Sequence, residues 1–246
     1  MFVRPIETRA EALRLVAAGL NDCEIGRRLD VPRTTVRDWR NPRYIPRSSR
    51  CPVCGERSRS IVLEAESYAE LLGLYLGDGH VTVLARTQRL RLFVDSRYPA
   101  IVADADRLIR ATLPDNRVGR MLAEEGRMTV LWGYSSHLSC LFPQHGDGKK
   151  HERPIVLEPW QRTLVDAAPW ALLRGLIRSD GCVFVNRTGR YEYLSYEFAN
   201  RSRDILDLFE VIARTVGLRP RRYARAIRLY RRADVEALVE NVGVKS

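Results

Sequence analysis

Apolar positions first recur at helical spacing between residues 6 and 40, in three short runs broken by turn-forming residues. The first, about residues 7–18, places Ala10, Leu13 and Val16 or Ala17 on one side and stops at Gly19. Asn21 or Asp22 can cap the second, whose inner face is Ile25 and Leu29. Asp30-Val31-Pro32 then turns the chain into a third helix over residues 33–40, with Val36 and Trp39 inward and Arg33, Thr34, Thr35 and Arg37 outward. Residues 41–50 change character to Pro, Arg and Ser, the composition of a basic linker. Beyond residue 66 helical runs give way to strands of period two: 80–86 with 89–95, 116–124 with 127–134, 182–187 with 191–200, and 219–225 with 227–231. Helices over 100–113 and 204–216 separate the strand pairs.

This second region repeats itself. Leu71-Leu72-Gly73-Leu74-Tyr75-Leu76-Gly77-Asp78-Gly79-His80-Val81 aligns with Leu173-Arg174-Gly175-Leu176-Ile177-Arg178-Ser179-Asp180-Gly181-Cys182-Val183, agreeing at six of eleven positions. The turns before the second helices also match, Asp95-Ser96-Arg97 in one copy and Asn200-Arg201-Ser202 in the other. The pattern predicts an α+β fold: two pseudo-symmetric αββαββα repeats plus a small all-α domain. The expected boundaries are 1–47 for the helical domain, 48–66 for a linker, and 67–246 for the duplicated domain, with repeats at 67–145 and 160–246.

Charge points to a polyanion. The chain has 41 basic residues against 30 acids, a net charge of +11, and only Lys149, Lys150 and Lys245 are lysines. Arginine's planar fork suits phosphate oxygens and guanine edges. Residues 6–40 resemble the homeodomain-like helix-turn-helix of bacterial regulators and recombinases, departing from it at Gly26, where alanine is common, and at Asp30, where the turn usually has glycine. Aspartate tolerates the left-handed conformation. The resemblance implies that Arg33, Thr34, Thr35 and Arg37 face a DNA major groove.

The two motif copies in register, each leading into a strand hairpin, resemble the LAGLIDADG homing endonucleases in their single-chain, two-repeat form, over about residues 67–246. In that family the motif helices pack side by side, so the resemblance implies that Gly73 and Gly175 permit close approach and that Asp78 and Asp180 are paired metal-binding carboxylates. Two acids brought together at helix C-termini repel one another and the helix dipoles, and a divalent cation relieves this. Mg²⁺, a hard ion that keeps water ligands, is the expected cofactor. The loop Gly146-Asp147-Gly148-Lys149-Lys150 matches a family loop that carries a basic residue, and either Lys149 or Lys150 fits the role. His80, His137, His145 and His151 could each assist proton transfer, but none is singled out. Arginine rows supply the expected DNA surface: Arg219, Arg221, Tyr223 and Arg225 at alternating positions, with Arg86, Arg89, Arg91, Arg117 and Arg120 as looser counterparts.

Cys51-Pro52-Val53-Cys54-Gly55 has the form of a zinc knuckle, and structural Zn²⁺ on Cys51 and Cys54 is set against a plain turn. Cys23, Cys140, Cys182 and the four histidines are read as lacking ligand-pair spacing, so a closed site needs long-range partners. An odd number of cysteines argues against a secreted disulfide framework. No run approaches the ~18 apolar residues of a membrane helix, and the N-terminus lacks a secretion signal. The expectation is a cytoplasmic, nucleoid-associated monomer that binds and cuts double-stranded DNA with Mg²⁺. The rival expectation is a transcriptional regulator with a LAGLIDADG-like domain that no longer cleaves, although in the actinobacterial sporulation regulators of that kind the helix-turn-helix lies on the C-terminal side.

Overall fold

The computed structural model describes residues 6–40 and 49–243, so most of the expected basic linker, residues 41–48, lies outside the described residues. The chain divides into two compact units, Met1–Arg50 and Cys51–Ser246.

In the first unit, α1 (Ile6–Ala17), α2 (Asp22–Arg28) and α3 (Arg33–Arg40) enclose a small core of Ala12, Leu15, Ile25, Val31, Val36 and Trp39. Asn21 caps α2: its side chain accepts from the Cys23 and Glu24 amides at 3.0 Å each, and Glu24 reaches back to the Asn21 amide at 3.1 Å. Asp30 takes the left-handed conformation, φ 50°, at the turn. Gly26 has no room for a side chain, since a Cβ there would lie 2.7 Å from the Val31 carbonyl oxygen. One expectation is corrected. Helix α1 buries Ala12 and Leu15, while Ala10 and Leu13 are exposed. Both stripes fit a 3.6-residue period in this alanine-rich helix, and packing against α2 and α3 selects between them.

The second unit runs α4 (Ala65–Asp78), β1 (Gly79–Val83), β2 (Gln88–Asp95), α5 (Pro99–Thr112), β3 (Gly119–Ala123), β4 (Met128–Ser135) and a short α6 (Leu138–Leu141). After α7 (Pro159–Ala167) the order returns: α8 (Pro169–Asp180), β5 (Gly181–Thr188), β6 (Tyr191–Ala199), α9 (Arg203–Thr215), β7 (Arg221–Arg222), β8 (Ala226–Leu229) and α10 (Arg232–Asn241). Two antiparallel four-stranded sheets result, ordered β1-β2-β4-β3 and β5-β6-β8-β7, so the repeats share one topology. Helix α5 buries Ile101, Val102, Ala105, Leu108 and Ile109 at helical spacing. Those residues share a core with the inner face of β2, Leu90, Leu92 and Val94. In the second repeat Phe198 of β6 stacks on Phe209 of α9, ring centroids 4.5 Å apart.

Several strand boundaries shift, that expected over 80–86 ending at Val83. The strand expected over 219–225 is only Arg221–Arg222, and that over 116–124 is Gly119–Ala123. Before β7 Pro220 has no amide to donate to a ladder, and after it the Tyr223 amide turns back to the Ala226 carbonyl at 2.7 Å. Residues 51–64, expected as linker, pack with the second unit: the Val62 amide donates to the Thr112 carbonyl at 3.0 Å and the Ser60 amide to the Asp115 carboxylate at 3.1 Å. Glu64 then caps α4 through the Glu66 and Ser67 amides at 2.9 and 2.7 Å. No helix among the described residues is long and apolar enough to cross a membrane.

Candidate active site

The duplicated motif forms a helix pair. Every residue of α4 from Tyr68 to Leu76 is buried, so this helix is enclosed rather than laid on a surface. Its backbone meets that of α8 directly: a Cβ on Gly175 would lie 2.2 Å from the Glu70 carbonyl oxygen, and one on Gly73 would lie 2.6 Å from the Leu172 carbonyl oxygen. Only glycine leaves room for that approach. The pair is also tied by buried Glu70, whose carboxylate receives Arg178 at 2.6 Å and Arg174 at 3.2 Å from the facing helix. Arg178 continues to Asp104 on α5 at 2.6 Å. A buried carboxylate is tolerated when its partners are complete, as here.

Each helix ends on its motif acid and passes straight into a strand at the following glycine. The corner has nearly the same backbone in both copies, φ −97° and ψ 155° at Gly79, φ −95° and ψ 156° at Gly181. Asp78 and Asp180 are therefore presented at equivalent ends of two closely packed helices. The Asp180 Oδ2 is 3.0 Å from where a Cβ on Gly77 would be, one residue before Asp78.

The two acids open onto different spaces. Asp180 lines a cleft of about 620 Å³ with Gly77, His80, Lys149, Lys150, Asn200 and Arg225. Asp78 lines a smaller cavity of about 260 Å³ with Asp95, Tyr98 and Arg178. Their second partners differ as well. The Asn200 amide donates to Asp180 at 2.7 Å, while its carbonyl oxygen accepts from the Ser202 amide at 2.7 Å. At the matching turn of the first repeat stands Asp95, which accepts from the Arg97 amide at 2.9 Å and pairs with the Arg97 guanidinium at 2.7 Å. An amide can donate to the neighbouring motif acid, and an ionised carboxylate cannot.

The structure separates the two candidate lysines. Lys149 is exposed and lies 3.8 Å from Glu152. Lys150 turns inward and donates to the last carbonyls of α4: Tyr75, Leu76 at 3.0 Å and Gly77 at 2.9 Å. It also sits 5.0 Å from the centre of the Tyr75 ring. A cation at a helix C-terminus opposes the negative end of the dipole. Burial pushes the Lys150 ammonium down to about 8, against the attraction of Asp180 and Asp78. His80, in the same cleft, is held below the ordinary histidine range first by burial and then by Arg91, Lys150, Arg153 and Arg89.

Register assigns the arginines to faces. Across β1 and β2, His80 pairs with Arg91 and Thr82 with Arg89, so these four point away from the Leu90–Leu92 side. Arg91 donates to Thr82 Oγ1 at 3.4 Å. The expected rows need revision. Arg120 pairs with buried Leu131, on the opposite face from Arg89 and Arg91; Arg86 lies in the β1–β2 turn, and Arg117 precedes β3. In the second repeat Arg219, Arg221, Tyr223 and Arg225 are all exposed, but only Arg221 belongs to a strand, and Arg225 reaches the Asp180 cleft. Arg228, which sequence reading passed over, pairs with Arg221 across β7 and β8 and lies 4.8 Å from the Tyr223 ring centre. The stretch from Arg219 to Arg232 lacks acids in sequence, yet the fold brings them: Arg222 meets Asp207 at 2.8 Å, Arg232 meets Glu236 at 2.8 Å, and Arg228 meets Glu197. In the first unit Arg33, Thr34 and Arg37 are exposed on α3 and Thr35 is half-buried. Cys51 and Cys54 line neither motif cavity and stand instead against His137 and Cys140.

Residues 4–41 match the profile of the homeodomain-like domain and residues 168–243 that of the LAGLIDADG-like domain. No curated protein matches the chain by sequence. Among solved structures, full-length DUF199/WhiA from Thermatoga maritima aligns at 17% identity and a TM-score of 0.50, covering 75% of this chain and 57% of that one. The N-terminal LAGLIDADG domain of DUF199/WhiA aligns at 17% identity, covering 75% of this chain and 86% of that one, with a TM-score of 0.48. I-DmoI, solved in complex with DNA and Mn, aligns at 15% identity over 73% of this chain and 97% of that one, with a TM-score of 0.47. At such identities the likeness is one of fold.

Proposed function

We propose that this chain, which joins a homeodomain-like domain to a LAGLIDADG-like domain, is a site-specific double-stranded DNA endonuclease that uses Mg²⁺ to hydrolyse phosphodiester bonds. One observation carries the reading: both motif acids stand at equivalent ends of the closely packed helix pair, and Lys150 donates to the last carbonyls of α4 in the cleft that Asp180 lines. The donor set suits the ion. Asp78 and Asp180 offer hard carboxylate oxygens where two helix C-termini already accumulate negative potential, and they are the residues that would hold Mg²⁺. When bound, Mg²⁺ lowers the pKa of a coordinated water and stabilises charge on the phosphoryl oxygens.

The chain's own residues supply the remainder. Asn200 fixes the rotamer of Asp180 through its 2.7 Å hydrogen bond. Lys150 brings positive charge to the cleft where a scissile phosphate would lie, and Arg225 offers further donors on the same wall. His80, neutral at physiological pH because of its lowered pKa, can accept a proton from an attacking water. Arg89, Arg91 and Arg221 on the outer sheet faces would contact the duplex backbone, and Arg33, Thr34 and Arg37 on α3 would read a second stretch of it. Both repeats lie in one chain, so we take the active form to be a monomer acting at nucleoid DNA.

A second reading, a DNA-binding regulator that does not cleave, is favoured by one feature: the Lys150 ammonium already compensates the carbonyl end of α4 and attracts both acids. Incubating the protein with a randomised duplex library and Mg²⁺, then sequencing the ends produced, separates the two. Recurrent Mg²⁺-dependent ends in one sequence context support the nuclease. Selective retention of one sequence with no new ends assigns the chain to the regulator class.

A further inference from the structure

We propose that Cys51, Cys54, His137 and Cys140 bind one zinc ion that fastens the start of the second unit onto its first repeat. One ligand atom from each residue, three thiol sulfurs and a ring nitrogen, lies within 4.8 Å of all the others. Cys54 Sγ and His137 Nδ1 are 3.4 Å apart. Zinc–sulfur bonds of about 2.3 Å and zinc–nitrogen bonds of about 2.0 Å set tetrahedral edges of roughly 3.5 to 3.8 Å. The cluster is thus near the size the ion imposes.

Three local features arrange these atoms as ligands. The Cys51 to Gly55 turn closes as a knuckle: the Gly55 amide donates to the Cys51 carbonyl at 2.9 Å and the Cys51 amide to the Glu56 carbonyl at 2.8 Å. At the start of α6, the Cys140 amide donates to the carbonyl of His137, the residue before the helix, at 3.1 Å, putting both side chains of this His-x-x-Cys pair on one turn. The His137 ring is oriented by its far nitrogen, with Nε2–H donating to the Arg57 carbonyl at 3.0 Å. That hydrogen bond fixes the tautomer and leaves the Nδ1 lone pair facing the sulfurs, the second-partner arrangement characteristic of metal-bound histidine. Cys51 and His137 are buried, Cys140 is half-buried and Cys54 is exposed, so the site lies at the edge of the core, and no disulfide joins any of the three thiols.

The four residues come from two chain segments, with Cys54 and His137 separated by 83 positions. An ion bridging them closes a long loop and adds its binding free energy to folding. Its role is structural, because all four protein positions of a tetrahedral ion are filled.

The test uses the full chain, purified under reducing conditions without chelator. Elemental analysis should find one zinc per chain, retained by Cys23→Ser and Cys182→Ser and lost by His137→Ala and Cys140→Ser. Cobalt replacement should give tetrahedral ligand-field bands with thiolate charge transfer from three sulfurs. Cys140→His supplies the control for unfolding of the loss variants: it should keep the metal and circular dichroism of the parent while its charge transfer falls in the ratio of three thiolates to two. Chelation of the parent should lower its melting temperature. Zinc well below one equivalent in the reduced parent, an octahedral cobalt spectrum, or metal retained by Cys140→Ser would each overturn the proposal.

Discussion

Gly175→Ala tests the closeness of the motif helices. The added methyl carbon would lie 2.2 Å from the Glu70 carbonyl oxygen, 2.8 Å from the Leu74 nitrogen and 2.9 Å from the Gly73 Cα, where ordinary contact begins at 3.4 Å. All three are backbone atoms of α4, so no side-chain rotation relieves the clash, and the helices must part by about 1 Å. A gap of that size forfeits a quarter to a half of each dispersion contact across the interface. Overpacking costs about 1 to 3 kcal/mol, and a backbone-on-backbone clash belongs at the upper end. Alanine's better helix propensity returns about 1 kcal/mol. The net loss is then about 2 kcal/mol, which lowers the melting temperature of a domain this size by about 4 to 8 °C. Gly133→Ala is the comparison, since its methyl would meet only side-chain ends, Ile109 Cγ2 at 3.0 Å and Leu113 Cδ1 at 3.5 Å. It should cost less than about 1 kcal/mol. Calorimetry of the second unit's transition checks both. A Gly175→Ala protein as stable as the parent, or more stable, would mean that propensity outweighs contact and that the helices are not packed as described.

The other predictions concern charge. Lys150 should make activity fall as pH rises through about 8, where its ammonium is lost, and Lys150→Ala should cost about 10²- to 10³-fold in cleavage rate. In the folded chain Lys150 releases its proton near 8, and in the unfolded chain near its ordinary value of 10.5. Between these the unfolded state binds more protons, so the Lys150 contribution makes stability rise with pH there, and Lys150→Met should flatten that rise in denaturation midpoints. Asn200→Asp replaces the donor to Asp180 with a second carboxylate and should lower activity about 10- to 100-fold with little change in DNA affinity. Arg37→Ala should weaken DNA binding and, if the contact is to phosphate, reduce the salt slope of log affinity by about one.

The architecture was legible because two repeats carry it once each: Asp78-Gly79 and Asp180-Gly181 mark the same helix-to-strand corner, and Asp95 and Asn200 begin the same turn. The inward face of α1 was not, since two stripes of small apolar residues satisfy helical spacing equally and only the neighbouring helices break the tie. The role of Asn200 depends on a contact across 20 residues that no local pattern encodes, although the turn alignment pointed at the position. The choice between Lys149 and Lys150 turns on which adjacent side chain is directed inward beneath α4. The zinc ligands show a different limit. His137-x-x-Cys140 has the same spacing as Cys51-x-x-Cys54, contrary to the reading that no second pair exists, but a mixed pair is inconspicuous until folding brings it to the knuckle.

Cleavage requires the two motif acids to act together, and the decisive measurement pairs cleavage with binding on a selected duplex. Parent, Asp78→Asn and Asp180→Asn are compared for Mg²⁺-dependent strand cutting, with affinity measured in Ca²⁺. Either substitution should abolish cutting while affinity stays close to that of the parent. Cutting that survives both substitutions, or a parent that binds tightly and never cuts, would contradict the proposed nuclease function.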